Sequence, residues 1–127
     1  MSRVTDVILI VDPADDAHVE DISFWLASDE PRTDDRTTAR VGALLPLTGA
    51  MGEELWGGHK AFGFSLWGAV TNHLDRDRCL ERVETTQWGD AERVQLLVKD
   101  DGDTFFRLYM FSAGKLSNFS PPDPAGD

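Results

Sequence analysis

The run from Val4 to Val11 (VTDVILIV) constrains the fold more than any other stretch of the chain. It is short, dense in β-branched residues and stopped by Asp12-Pro13, where the proline removes a ladder donor. Such a run reads as a strand buried on both faces, which belongs near the middle of a sheet. A chain of 127 residues organised around it buries roughly two-thirds of the surface that its unfolded form exposes, enough for one domain. With 41% hydrophobic residues, seven Phe and four Trp among them, the composition is that of a folding chain.

A helix is predicted directly after this strand. Asp12 is its N-cap, Pro13 takes the first helical position, and Asp15 and Asp16 put negative charge where the helix dipole favours it. Val19, Ile22, Trp25 and Leu26 recur at helical spacing and form the buried stripe, whereas Phe24 falls off that stripe and is expected at the surface. The helix ends near Ser28. Asp29 to Arg40 (DEPRTDDRTTAR) holds no large apolar side chain and reads as a solvated connection. Val41 to Leu47 is a weaker strand that Pro46 confines to a sheet edge, and Thr48 to Lys60 is a long glycine-rich loop.

Ala61 to Thr71 alternates, with Phe62, Phe64, Leu66 and Val70 on one face and Ser65, Trp67 and Ala69 on the other. Asp75 caps a second helix reaching about Thr85, with Leu74 and Cys79 spaced as a hydrophobic staple and Leu80 and Val83 extending its buried stripe. Arg93 to Lys99 and Thr104 to Phe111 are two strands around Asp100-Asp101-Gly102-Asp103, where Asp101-Gly102 suits a tight hairpin turn. Residues 1–119 form a single domain and residues 120–127, rich in Pro, Gly and acid, a flexible tail.

The resulting order β-α-β-β-α-β-β predicts an α+β fold, a ferredoxin-like sandwich of the split βαβ kind with both helices on one face of a mainly antiparallel sheet. The other sheet face then carries Trp67, Phe105 or Phe106, and Tyr109. That much aromatic surface requires a cover, supplied by the glycine-rich loop or by a partner chain.

A formal net charge of −11 repels phosphate backbones and anionic headgroups, which argues against nucleic acid and membrane as partners and favours a basic protein. The lone Cys79 allows no intrachain disulfide and fits a reducing compartment. The apolar start of the chain is too short for a signal peptide, so a cytoplasmic location is expected. Arg outnumbers Lys and Asp outnumbers Glu, a bias that points to a GC-rich bacterial source.

Chemistry-bearing constellations are sparse. His59 stands beside Trp56 and Lys60 among glycines, but no orienting carboxylate can be assigned to it. His73 lies in an Asn-His-Leu-Asp turn, at the opposite end of the strand from His59 and too far to share a metal. Asp100, Asp101 and Asp103 lack the glutamate that closes a calcium loop, and no G-x-S-x-G, H-E-x-x-H or phosphate-cradling motif occurs. No catalytic residue, metal or cofactor is expected, and the balance points away from an enzyme. The leading expectation is a small acidic binding or inhibitory domain, of the kind that neutralises a basic bacterial toxin as an immunity protein does. Its contact residues would be Phe24, Asp29, Glu30, Asp34, Asp35, Glu53, Glu54, Trp56, His59 and Trp67. The alternatives are a small enzyme or ligand-binding domain with its cleft under the 48–60 loop, and a homodimer formed through the open sheet.

Overall fold

The computed structural model describes residues 4–28, 30–32, 42–48 and 62–122. Eight elements position everything that follows: β1 (Val4–Val11), α1 (Asp16–Leu26), β2 (Leu45–Pro46), β3 (Ser65–Asn72), α2 (Arg76–Thr85), β4 (Gln95–Asp100), β5 (Arg107–Ser112) and β6 (Lys115–Asn118). The six strands make one sheet in the order β2-β3-β1-β4-β5-β6, and every neighbouring pair is antiparallel. β1 therefore lies in the interior, as its apolar run predicts. Its burial, however, alternates: Thr5, Val7, Leu9 and Val11 are buried, while Asp6, Ile8 and Ile10 between them are partly exposed.

The α+β class holds, but the strand order differs from that of a ferredoxin-like sheet. Both β3 and β4 run antiparallel to β1 and so parallel to each other, and α2 joins them across β1. That is one split βαβ unit. A second does not form because the chain leaving α1 returns, through the short β2, into a strand antiparallel to β1.

Both helices lie on the same sheet face. Val19, Ile22, Trp25 and Leu26 of α1, with Cys79 and Val83 of α2, share one core with Val7, Leu9, Val11, Trp67, Leu96, Val98 and Tyr109. The helix starts follow the predicted capping chemistry. Asp12 accepts from the Ala14 N–H at 3.0 Å and opens a 3-10 turn, Pro13–Asp15, that leads into α1. Asp75 accepts from the N–H groups of Asp77 and Arg78 at 3.1 and 3.4 Å, and Leu74 and Cys79 are both buried as the staple requires.

Several boundaries differ from the sequence-based expectation. Among the described residues of the 41–47 stretch, only Leu45 and Pro46 pair as a strand, at the edge where Pro46 is tolerated. In β3 the face assignment is inverted: Trp67, Ala69 and Thr71 point to the helices and Val70 points away. Tyr109 is likewise in the core, so of the aromatic residues predicted for the open face Trp67 and Tyr109 lie on the helix side, while Phe106 does line the open face. Within the connection expected to be solvated, Pro31 and Arg32 are buried, Arg32 donating from Nη1 to the Leu26 carbonyl at 2.7 Å and satisfying the C-terminus of α1.

The β4–β5 connection is wider than a two-residue turn. Asp103 accepts from the Asp100 N–H at 3.0 Å and binds Arg107, which withholds Thr104, Phe105 and Phe106 from the strand. A four-residue turn does close over Asp101-Gly102, the Asp103 N–H donating to the Asp100 carbonyl at 2.9 Å, but the left-handed hairpin turn comes later, at Ala113 and Gly114 (φ 53° and 80°), and it introduces β6, a strand that the sequence reading missed. At that margin of the sheet the Glu84 carboxylate of α2 accepts from the Leu116 N–H at 2.9 Å.

Candidate functional site

The outward face of α1 follows from its inward one. At about 100° per residue, burying Val19, Ile22, Trp25 and Leu26 turns Ala17, Glu20, Asp21 and Phe24 toward solvent. Phe24 is 76% exposed, the most exposed of the large apolar side chains described. Glu20 lies one turn before it on the same face, and α1 contains no Lys or Arg. Just past the helix, Glu30 is exposed, and its carbonyl is held by Arg78 Nη1 at 2.5 Å while the Pro31 carbonyl accepts from the Asp75 N–H at 2.7 Å. These bonds anchor the outgoing chain to the start of α2. Below Phe24, the Trp25 ring is covered by the Arg82 guanidinium at 5.1 Å from its centroid.

Of the other residues expected to make contacts, Trp67 is 8% exposed and its indole Nε1 donates to Asp16 at 3.3 Å, a packing role on the helix-covered face. Asp29, Asp34, Asp35, Glu53, Glu54, Trp56 and His59 lie outside the described residues. His73 occupies the turn after β3 with φ 57°, a left-handed backbone that an L-residue seldom adopts.

Sequence reasoning assigned Asp15 only to dipole compensation. In the fold it is buried and accepts from the backbone N–H groups of Gly89 and Asp90 at 2.9 and 3.1 Å, fastening the turn after α2 to the start of α1. His18 stands 4.0 Å from the same carboxylate and meets the Trp88 ring edge-on at 5.6 Å. No sequence spacing signals a contact across more than seventy residues. Burial pushes the Cys79 thiol up to about 12, so it is protonated and unreactive in the folded chain, as its place on the inner stripe predicts.

The sheet face turned away from the helices is the second surface of note. One cross-strand row runs Leu45, Gly68, Ile8, Leu97, Leu108, and Phe119 extends it by donating its N–H to the Leu108 carbonyl at 2.8 Å. The next row places Asp6 between Val70 and Lys99. Beside Gly68, which the Leu47 side chain overhangs, the face opens into a groove of about 730 Å³ lined by Ile8, Val70, Leu45, Leu47 and Phe106. Val70 and Leu45 are 65% and 64% exposed.

No family model, curated protein or solved structure matches this chain. The two surfaces are thus read on their own chemistry. Among the described residues no group of three or more His, Cys, Asp or Glu is placed to hold a metal ion, and no helix is long and apolar enough to cross a membrane.

Proposed function

We propose that this chain is a binding protein that docks a basic protein partner on the outward face of α1, in the manner of an immunity protein that neutralises a basic bacterial toxin or effector in the cytoplasm. The observation that carries the reading is Phe24, an aromatic side chain 76% exposed on a helix whose outward charges, Glu20 and Asp21, are all negative. An exposed Phe is an anchor for a partner's apolar pocket, and the carboxylates around it steer a cationic surface into place. The net charge of −11 extends that steering beyond contact range and makes the encounter salt-dependent. The lone, buried Cys79 suits a reducing compartment.

The test starts with capture from extracts of the producing cell by the immobilised chain, at low and at high salt. A captured basic protein is then purified and titrated against the chain. Phe24→Ala is expected to weaken binding by about 30-fold, a loss near 2 kcal/mol typical of an aromatic anchor. Glu20→Lys with Asp21→Lys is expected to slow association and flatten its salt dependence. Failure to capture any basic protein at low salt, or binding indifferent to both sets of changes, would sink the proposal.

A further inference from the structure

The open face of the sheet differs in chemistry from the rest of the surface. The chain carries a net charge of −11, yet the described ionisable groups that the six-strand register turns onto this face are few: Asp6 and Lys99, standing opposite each other on β1 and β4, and Lys115 at the β6 margin, where it pairs with Ser112. Neither Asp6 nor Lys99 makes an ion pair or a side-chain hydrogen bond among the described residues, although they are cross-strand neighbours. Around them the face is aliphatic: Ile8, Ile10, Leu66, Leu97, Leu108 and Met110 are each only partly buried. An apolar face that carries almost none of the chain's acid is a poor match for a strongly cationic partner and a good one for another apolar face.

We propose that this face pairs with its own copy, giving a homodimer in which two sheets stack about a two-fold axis parallel to the strands and midway between β1 and β4. That single axis accounts for four features of the face. It sets each Ile8 against Leu97 of the other copy. It places Asp6 over the other copy's Lys99 and Lys99 over its Asp6, so that two charges idle in one chain form two reciprocal pairs. It brings Leu108 toward the β3 side of the face, into the groove of about 730 Å³ that Gly68 and the movable Leu47 side chain border. It closes the row by setting exposed Leu45 against exposed Phe119. An isologous contact demands this self-complementarity, each residue meeting a partner that it meets again by symmetry. The repulsion between two acidic chains is limited by the same geometry. Glu20, Asp21, Asp77 and Glu81 lie on the helices behind the sheet, and stacking by the open faces, with sheets about 10 Å apart, directs them away from one another.

The test is sedimentation equilibrium of the full chain across the micromolar to low-millimolar range. The expected result is a species of twice the 14.1 kDa chain mass at the upper concentrations. Val70→Asp, at a position 65% exposed in the single chain, is expected to raise the dimer dissociation constant at least about 100-fold while leaving the far-ultraviolet circular dichroism spectrum intact. Should that variant fail to fold, Leu45→Asp serves in its place. Asp6→Lys is expected to weaken the dimer about tenfold, and adding Lys99→Asp to restore it, since the swapped pairs face each other again. Phe24→Ala leaves this equilibrium unchanged, which separates the dimer from partner binding on α1. A chain that stays monomeric throughout the range, or a dimer that survives both Val70→Asp and Leu45→Asp, overturns the inference, as does an Asp6→Lys effect that Lys99→Asp makes worse.

Discussion

Along β1 the residues Thr5, Val7, Leu9 and Val11 are closed off by the two helices, whereas Asp6, Ile8 and Ile10, interleaved with them, face out of the molecule. The same holds across the sheet: Trp67, Leu9, Leu96 and Tyr109 make a buried row, and Gly68, Ile8, Leu97 and Leu108 make an open row one residue away. Two faces built from the same strands and almost the same residue types differ only in what lies over them. Apolar content therefore does not identify the core side of such a sheet. The helices do, through the bonds and packing that hold them to one face.

Substitution on the two faces should split that pair most clearly. Leu9→Ala, within the buried row, is expected to cost about 3 kcal/mol of unfolding free energy, because it removes three carbons from a close-packed site. Ile8→Ala, one residue away, is expected to cost about 1 kcal/mol at dilutions where the chain is single. Urea unfolding of both variants measures the difference, and equal losses would mean that the open face is already covered within one chain.

Next in size is the bond that holds the helical layer together. Asp15→Ala orphans two backbone donors at Gly89 and Asp90 and is expected to destabilise the fold by about 2 kcal/mol. Amide hydrogen exchange at those two residues should quicken well beyond that of β4, and unchanged exchange would place the fastening elsewhere.

The smallest effect is expected at the hollow of the open face. A Cβ at Gly68 would come within 3.2 Å of the Leu47 Cδ1, the movable tip of an exposed side chain. Gly68→Ala should shift the melting temperature of the single chain little, since relief of the glycine's entropy offsets the displacement of Leu47. It should weaken the proposed self-association, because the added methyl and the displaced Leu47 narrow the groove that Leu108 of the other copy would enter.

How far the fold was legible from residues alone follows from the same alternation. Strand β1, the capped helices and the exposure of Phe24 could be read because each rests on local rules, on caps at Asp12 and Asp75 and on one clear helical stripe. The face of β3 could not, since Leu66 and Val70 on one side and Trp67 and Ala69 on the other are equally apolar. Asp101-Gly102 does turn, the Asp103 N–H donating to the Asp100 carbonyl at 2.9 Å, but Asp100 and Asp103 are drawn to Arg76 at 3.2 and 3.7 Å, the β4–β5 ladder ends at Val98-Arg107, and the left-handed hairpin turn falls to Ala113-Gly114. Strand β6 escaped notice because Lys115 to Asn118 alone has no strand pattern and pairs only by virtue of that turn. Of the candidate contacts, Phe24 and Glu30 are displayed as expected and Trp67 is withdrawn into the core. Asp15 was invisible because its partners lie across the chain.

The two margins of the sheet carry a last consequence. On one side β2 is two residues long and includes Pro46, which has no N–H to offer, and on the other the outward N–H of Leu116 is already engaged by Glu84. Among the described residues, neither margin presents a clean template on which the sheet of another copy could be continued strand by strand. Contact through the open face, by contrast, uses up the surface that makes it. The dimer proposed above would thus be terminating in its geometry, stopping at two rather than propagating into a fibre.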